Sequence, residues 1–317
     1  MILSAPNQGA IRREAEYDAY PSRVGNDGRI LQRLDPVVYA ADHEQAPLAK
    51  SQVDQYQRDG FVVLENLFSS DEVHLLQDEV ELLRKQPGGD SETRINEPAD
   101  NTLRSIFAIH HSNTLFERLA CDSRLVDVAR YLLDDEVYIH QSRLNYKPGF
   151  RGKEFYWHSD FETWHVEDGM PRMRALSMSI TLSENSACNG ALMLIPGSHK
   201  SFVCCAGFTP KDHFRDSLRK QDYGTPSDEL LHQLVKEGGI VTADARPGSI
   251  IVFDCNTIHG SNGNITPWPR SNAFFVYNAM SNRVVAPFCE QAPRPEYICT
   301  RRAFRPAEPK QGSLSGE

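Results

Sequence analysis

Apolar and polar residues alternate along several short stretches of the chain, as they do in strands that bury one face. The clearest stretch is residues 176–182, in which every second residue is leucine, methionine or isoleucine and those between are serine or threonine. A period of two residues predicts a β-strand. Three more stretches have the length and composition of strands, namely residues 137–146, 248–255 and 272–278.

A spacing of three and four residues indicates three helices. Ser69 and Glu72 have capping-box spacing, apolar residues follow at positions 73, 76, 80 and 83, and Pro87-Gly88-Gly89 ends the pattern. A second helical stretch covers residues 115–133, with a break near Asp122 and Ser123. The third covers residues 227–236 and is closed by two glycines.

Several short strands after a few helices predict a β-sandwich or a jelly roll with helices packed outside. Residues 1–50 are polar and contain four prolines, which predicts an N-terminal arm that lies on the body or is partly disordered. Residues 51–305 are expected to form a single domain. The proline, glycine and serine residues of 306–317 predict a disordered tail.

Composition narrows the class of protein. The chain of 317 residues is 40% hydrophobic and 24% charged, which is ordinary for a globular protein. Its net charge of −9 argues against nucleic acid or an anionic membrane as the main partner. No window approaches 18 consecutive apolar residues, and the first 20 residues do not form a secretory signal. Seven scattered cysteines predict reduced thiols and a cytoplasmic location.

Three residues form a candidate metal site. His158 and Asp160 are two positions apart, so on an extended strand both side chains would point to the same side. His259 is the best candidate for a third ligand. His199 and His110-His111 are expected to be structural, and His165 is expected either beside the ligands or at the surface. Two histidines and one carboxylate are the ligand set of non-haem Fe(II) oxygenases, which leaves three open positions on the metal. Zinc hydrolases use similar ligands, so the set alone does not identify the metal.

Arg270 lies eleven residues after His259, at the start of the predicted strand 272–278. A guanidinium in this place can bind a carboxylate bidentately close to the metal. A 2-oxo diacid would fit such a site, because one end would chelate the metal while the far carboxylate meets Arg270.

The pattern of His158, Asp160, His259 and Arg270 resembles the Fe(II)- and 2-oxoglutarate-dependent dioxygenases of the phytanoyl-CoA hydroxylase superfamily. The run from Phe155 to Pro171, continued by residues 173–177, is similar to the signature of the ectoine hydroxylases. Residues 104–110 and 141–147 are also similar to that family, and the similarity extends from about residue 17 to residue 304. The resemblance implies a mostly β fold with surrounding helices and a double-stranded β-helix (jelly-roll, cupin-like) core.

The resemblance also implies a reaction. Ectoine would be hydroxylated to 5-hydroxyectoine, an osmolyte of the stress response, while 2-oxoglutarate and O2 yield succinate and CO2. The enzyme would be a cytoplasmic homodimer that holds Fe(II). Its iron ligands would be His158, Asp160 and His259, and Arg270 would bind 2-oxoglutarate together with Phe155, Asn145, Trp164 and Ser261. The positions that match ectoine contacts are Gln141, Arg143, Thr163, Trp164, Ser177, Phe253 and Phe274.

These side chains suit a zwitterion that carries a delocalised cation and a carboxylate. Aromatic faces bind flat cations, and Arg143 can pair with the carboxylate. Three other readings stay open on the residues alone: a hydroxylase for another substrate such as proline or a lipid thioester, a zinc hydrolase, and a binding protein without turnover.

Overall fold

The computed structural model describes residues 17–41, 46–86, 92–96, 102–217 and 223–314. Within these residues the chain forms thirteen strands, and their bounds in chain order are β1 Arg29–Gln32, β2 Phe61–Leu64, β3 Arg94–Asn96, β4 Leu103–Phe107, β5 Val137–Lys147, β6 Phe155–His158, β7 Ala175–Thr181, β8 Leu192–Leu194, β9 Ser201–Cys204, β10 Val241–Thr242, β11 Ile250–Asp254, β12 His259–Ser261 and β13 Arg270–Ala279.

The α-helices of the described residues lie mostly before β5, and they are α1 Lys50–Asp59, α2 Ser70–Lys85, α3 Ile109–Ser112, α4 Thr114–Ala120, α5 Ser123–Leu133, α6 Asp160–Thr163, α7 Phe214–Ser217 and α8 Asp228–Gly238. A π-helical segment, Trp164–Asp168, continues α6. No helix among the described residues has both the length and the apolar character that a membrane crossing needs.

The main sheet has seven strands in the order β2-β11-β7-β13-β5-β4-β3, all paired antiparallel. A smaller sheet has the order β10-β8-β12-β6. The two sheets pack against each other through a cluster that joins Leu194 of β8 to Ile251, Phe253 and Phe274 of the main sheet. This face-to-face arrangement, with helices outside, is the jelly-roll architecture that the sequence predicts.

Side-chain alternation on β7 and β13 decides which face of the main sheet is polar. Leu176, Met178 and Ile180 pack with the helices, and so do Phe275 and Tyr277 of β13. The residues between them therefore point to the opposite face, toward the smaller sheet. The predicted period of two over residues 176–182 is confirmed, and it brings serines and asparagines to the interior of the roll.

The helices begin and end where the capping residues predict. The side chain of Ser69 accepts a hydrogen bond from the Glu72 amide, and the Glu72 carboxylate accepts one from the Ser69 amide. The break predicted near residue 122 is the boundary between α4 and α5, at which Asp122 caps the second helix. The predicted stop at Pro87-Gly88-Gly89 lies outside the described residues, and α2 ends at Lys85.

The described part of the N-terminal arm lies on the body. Strand β1 pairs antiparallel with β9, and Arg33 forms a buried bidentate pair with Asp254 at 2.8 and 2.9 Å. Of the two alternatives for the arm, residues 17–41 therefore follow the first. Residues 1–16 and 42–45 lie outside the described part.

The prediction of a disordered C-terminal tail is wrong for residues 306–314. Ala307 and Leu314 are buried in the main apolar core. The Arg118 guanidinium donates to the carbonyls of Gln311 and Gly312, each at 2.9 Å. Composition suggested disorder because the tail has few apolar residues, but two well-placed ones suffice when α4 and α5 supply a complementary surface.

Candidate active site

The three predicted metal ligands come together at one end of the smaller sheet. His158 is the last residue of β6, and His259 is the first residue of β12, directly opposite it in the antiparallel register. Asp160 does not continue β6, as an extended strand would require, but begins α6 after the N-cap residue Ser159. The predicted proximity of the two side chains is therefore produced by a strand-to-helix turn.

The geometry of the three side chains suits one metal ion. All three residues are buried, and their ligand atoms lie within 4.8 Å of one another. The Asp160 Oδ1 is 3.7 Å from the His158 Nε2 and 3.9 Å from the His259 Nε2. Each Nδ1 lies within hydrogen-bond distance of a backbone carbonyl, that of Tyr156 at 2.7 Å and that of Thr257 at 2.9 Å. A carbonyl only accepts, so each Nδ1 carries the proton and each Nε2 presents its lone pair to the cluster.

The pKa shifts within this cluster favour the binding of a cation. Burial and the neighbouring His259 lower the pKa of His158 to about 4, so its imidazole is neutral near pH 7. Burial alone would raise the pKa of Asp160, but His259, His158 and Arg143 outweigh it and lower that pKa. Two imidazoles and one carboxylate fit a divalent metal such as Fe(II) or Zn(II).

Two adjoining pockets open beside the predicted ligands and share three lining residues, and they are called here the two halves of one cavity. The half called here the Arg270 half is lined by Arg143, Asn145, Phe155, His158, Ser179, Leu192, His259, Gly260, Ser261, Arg270, Asn272 and Phe274. It contains Phe155, Asn145, Ser261 and Arg270, four of the five residues predicted to contact 2-oxoglutarate. The fifth, Trp164, lies in the other half.

That other half, called here the Trp164 half, shares Arg143, Phe155 and His158 with the first. Its remaining lining residues are Ser105, Phe107, Gln141, Asp160, Thr163, Trp164, Ser217 and Arg294. Gln141, Arg143, Thr163 and Trp164, all predicted to contact ectoine, are brought together here. Phe274 belongs to the Arg270 half, where the Arg143 guanidinium carbon is 4.9 Å from its ring centroid.

Two cations without a carboxylate partner dominate the cavity. Among the described residues, no carboxylate lies within 4.0 Å of the guanidinium of Arg270 or of Arg143. Burial lowers the pKa of both guanidinium groups. For Arg270, burial and the charge of Arg143 lower the pKa to about 10, so the group is still charged near pH 7. A buried guanidinium needs an anion, so the Arg270 half is built to receive one.

Two of the predicted ectoine residues contact the predicted metal ligands. The Ser177 hydroxyl donates to the Asp160 Oδ2 at 3.1 Å, and Ser177 is fully buried. Phe253 is also fully buried, and its ring packs edge-on against the His259 ring with centroids 4.9 Å apart. Neither residue lines the two cavity halves. Their contact with ectoine stays a prediction. The contacts that the structure gives them are with the predicted metal-ligating residues Asp160 and His259.

The structure adds Lys147 and Arg294 to the cavity surroundings. The Lys147 ammonium donates to the Ser261 hydroxyl at 2.9 Å, beside the Arg270 half. Lys147 continues the period of two through positions 141, 143 and 145, so the strand pattern contained the signal for it. Arg294 lies in an irregular segment, and nothing in the local sequence indicates that it reaches the Trp164 half.

A second group of metal-ligating residue types among the described residues is not a metal site. His140, Asp168 and Cys299 lie close enough to share an ion. However, the Arg294 guanidinium already binds the Asp168 carboxylate, with its Nε 2.7 Å from Oδ1. A guanidinium in this place supplies the charge that a metal would bring, so the group fixes Arg294 at the cavity.

The histidines that are not expected to be ligands lie outside the ligand cluster. Of the two alternatives for His165, a place at the surface is wrong. His165 is buried, with its Nε2 2.9 Å from Asp18 and its Nδ1 2.7 Å from the Met170 carbonyl. His199 is buried beside the Gln57 carbonyl, and His110 is within hydrogen-bond distance of the Ser142 hydroxyl.

The chain is similar to known proteins over most of its length. Residues 56–272 match the phytanoyl-CoA dioxygenase (PhyH) family. The chain is 56% identical over 285 residues to the ectoine dioxygenase of Sphingopyxis alaskensis, covering 90% of this chain and 93% of that protein. It is 46% identical over 300 residues to the ectoine dioxygenase of Halomonas elongata, covering 94% of this chain and 88% of the relative.

Solved structures show the same fold. The crystal structure of EctD from S. alaskensis with 2-oxoglutarate and 5-hydroxyectoine has a TM-score of 0.86 at 51% identity, covering 94% of this chain and all of that chain. The same protein with bound Fe has a TM-score of 0.85 at 50% identity, with the same coverage. The carbocyclase SnoK, at 17% identity over 86% of this chain and 98% of its own, shares the fold with a TM-score of 0.61. The chain therefore belongs to the phytanoyl-CoA dioxygenase family and, within it, to the ectoine dioxygenases.

Proposed function

We propose that this protein is an Fe(II)- and 2-oxoglutarate-dependent dioxygenase that converts ectoine to 5-hydroxyectoine. One oxygen atom of O2 enters the new hydroxyl group, and the other enters the succinate that forms with CO2 from 2-oxoglutarate. The observation that carries the proposal is the buried set His158, Asp160 and His259 beside Arg270, a buried cation with no carboxylate partner among the described residues. A carboxylate-binding arginine next to such ligands suits a chelating diacid.

In this proposal, His158, Asp160 and His259 hold the iron, which supplies the oxidising chemistry when bound. Arg270 binds the far carboxylate of 2-oxoglutarate from the start of β13. Lys147 and Ser261, which are hydrogen bonded to each other, lie at the same end of the Arg270 half and add a second cation there. The protein orients the cosubstrate and excludes bulk water, and no side chain has to serve as a nucleophile.

Ectoine would occupy the Trp164 half and extend toward Phe274. Arg143, which has no carboxylate partner among the described residues, would pair with its carboxylate. The rings of Trp164 and Phe274 would bind the flat cationic ring, and Gln141 and Thr163 would donate or accept hydrogen bonds. Gln141 is already oriented because its amide donates to the Ile298 carbonyl at 2.9 Å.

Three finer properties belong to the same proposal. The protein would act as a homodimer in the cytoplasm, and its product would serve as a compatible solute in osmotic stress. The support is the resemblance of the whole chain to ectoine hydroxylases, together with the net charge of −9 and the scattered cysteines. Size-exclusion chromatography with light scattering would test the oligomeric state.

One reconstitution tests the activity. Purified protein is loaded anaerobically with Fe(II) and 2-oxoglutarate, then given O2 with and without ectoine. Equal amounts of succinate and of a product that is 16 mass units heavier than ectoine are expected, and neither without iron. Formation of succinate without hydroxylated ectoine would contradict the proposal that ectoine is the substrate. A panel of other substrates that includes proline would then be tested. No succinate from iron-loaded protein would contradict the dioxygenase reaction.

A further inference from the structure

A buried arginine of the N-terminal arm reaches the helix that begins with the metal ligand Asp160. The Arg23 guanidinium donates to the two Glu162 carboxylate oxygens, at 3.0 Å from Nε and 2.6 Å from Nη2. Its Nη1 also donates to Glu167 at 2.5 Å. The side chain of Arg23 has no exposed surface, and the side chains of both glutamates are at most 5% exposed. This pairing joins residues about 140 positions apart in the sequence.

The two glutamates flank the residues that face the cavity. Thr163 and Trp164, which line the Trp164 half, lie between Glu162 and Glu167 on the continuous segment from α6 through the π-helical turn. The Nη2 of Arg23 also donates to the Thr163 hydroxyl at 3.3 Å. A short helix of this kind has few hydrogen bonds of its own, so its position depends on what holds it from outside.

A third segment, which contains His213 and Ser217, contacts the same group of charged side chains. The Nδ1 of His213 is 2.9 Å from the Glu167 carboxylate, and Ser217, four residues later, lines the Trp164 half. On the other side, Gly224 has a φ of +71°, and a Cβ there would collide with the guanidinium of Arg23 and the carboxylate of Glu162. The arm, the helix after Asp160 and the segment over the cavity therefore meet at Arg23.

The backbone conformation of Arg23 and the charges around its side chain both favour this contact. Arg23 has a φ of +55°, in the left-handed region that non-glycine residues seldom adopt. Burial alone would raise the pKa of Glu167, but His213 and Arg23 outweigh it and hold that pKa at about 2. Glu167 is thus ionised near pH 7, and its buried charge is paired with that of Arg23.

We propose that Arg23 is a positioning residue for the ectoine side of the site. It holds Thr163, Trp164 and the segment that carries Ser217 in the arrangement that binds substrate. The inference rests on the proposed function. The Arg270 half is built on strands of the two sheets, and no hydrogen bond or ion pair joins Arg23 to its lining residues. Of the residues predicted to contact 2-oxoglutarate, only Trp164 lies on the segment that Arg23 holds, so 2-oxoglutarate binding should depend on the arm much less than ectoine binding does.

The test compares Arg23→Lys with Arg33→Lys. Lysine keeps the charge but cannot form two planar pairs with both glutamates. Arg33 is the matched control because it lies in the same arm and forms a similarly buried bidentate pair, with Asp254, yet lines neither cavity half. If Arg23→Lys does not fold, Ser22→Ala takes its place, since Ser22 donates to Glu162 at 2.7 Å.

Arg23→Lys is expected to raise the KM for ectoine about tenfold, because small displacements of positioning groups have large effects. The amount of succinate formed should exceed the amount of hydroxyectoine, and the KM for 2-oxoglutarate should rise much less than the KM for ectoine. Amide hydrogen exchange of residues 160–168 should become faster. Arg33→Lys should lower thermal stability without these changes. If the Arg23 and Arg33 variants behave alike, with lower stability and an unaltered KM for ectoine, Arg23 is merely structural and the inference is overturned.

Hydrogen exchange separates this inference from the proposed function. If the wild-type protein does not hydroxylate ectoine, the proposed function fails, and the exchange of residues 160–168 still decides the role of Arg23. Faster exchange in Arg23→Lys than in Arg33→Lys would support positioning of the segment. Equal exchange in the two variants would overturn it.

Discussion

His158 and His259 lie directly opposite each other across the antiparallel strands β6 and β12, with ring centroids 4.4 Å apart. They are 101 positions apart in the sequence, and the register of the strands brings the two rings together, with both Nε2 atoms within 4.0 Å of the Asp160 carboxylate. The predicted metal site is thus a property of strand pairing, to which the turn after His158 adds Asp160.

Removing the carboxylate should remove the metal. We expect Asp160→Ala to retain less than about a tenth of the wild-type iron, because two imidazoles alone bind it weakly. Ser177→Ala should weaken iron binding about tenfold, since Ser177 donates to Asp160. Iron content after dialysis measures both effects, with circular dichroism to show that the fold is intact. A stoichiometric amount of iron in Asp160→Ala would mean that Asp160 is not a ligand.

Arg270→Ala should act on the cosubstrate alone. Losing a buried charged pair with a carboxylate costs about 1.5–3 kcal/mol, so the KM for 2-oxoglutarate should rise by about ten- to a hundredfold. Arg270→Lys should give a smaller rise, because lysine keeps the charge but not the bidentate geometry. Titration of 2-oxoglutarate at saturating ectoine measures the effect. An unchanged titration would exclude this role for Arg270.

Adjacent phenylalanines on β13 provide a matched pair for the ectoine contact. Phe274 lines the cavity, whereas Phe275 points into the core on the helical face. We expect Phe274→Leu to raise the KM for ectoine about tenfold through loss of a cation–π contact. Phe275→Leu should lower stability and leave that KM unchanged. Equal KM values for ectoine in the two variants would mean that Phe274 contributes only to packing.

The packed tail should contribute to stability. A chain ending at Arg305 loses the buried Ala307 and Leu314 and the contacts of Arg118 with residues 311 and 312. Its free energy of unfolding should fall by at least about 2 kcal/mol in urea denaturation. A chain ending at Leu314 serves as the control and should match the full chain. A truncation at Arg305 with wild-type stability would refute the packing of the tail.

One capping carboxylate should make stability depend on pH. Hydrogen bonds from Arg124 lower the pKa of Glu72 from 4.5 to about 2. Because the folded pKa is below the ordinary one, the contribution is complete above pH 4.5 and is lost as the pH falls toward 2. The difference in unfolding free energy between wild type and Glu72→Gln should therefore narrow from pH 7 to pH 3. The exposed Glu81, paired with Arg84, is the control, and Glu81→Gln should differ from wild type by less than about 1 kcal/mol at either pH.

Local sequence patterns predicted those helices and strands whose bounds depend on residues close together in the chain. The capping box at Ser69, the break near residue 122 and the alternation over residues 176–182 each appear in the structure at the expected place. The cavity lining on β5 followed from the same alternation, since Gln141, Arg143 and Asn145 project from one face and reach the cavity.

Features that depend on distant partners were beyond the sequence. Leu314 is buried because helices far from it in the chain leave space for it, and Arg23 is buried because two glutamates about 140 positions later lie beside it. Even the turn between His158 and Asp160 was predicted as a strand, because a spacing of two residues does not distinguish a continuous strand from a strand that ends in a helix.

The place of β13 in the main sheet has a consequence for biosynthesis. This strand, residues Arg270–Ala279, lies between β5 and β7, which are both made earlier. A nascent chain therefore carries two unpaired sheet edges until the ribosome has passed residue 279, and its central strand is inserted last. Exposed edges promote aggregation, and such distant pairings form slowly. We therefore expect expression of this protein to benefit from slow synthesis and from chaperones that shield the unfinished sheet.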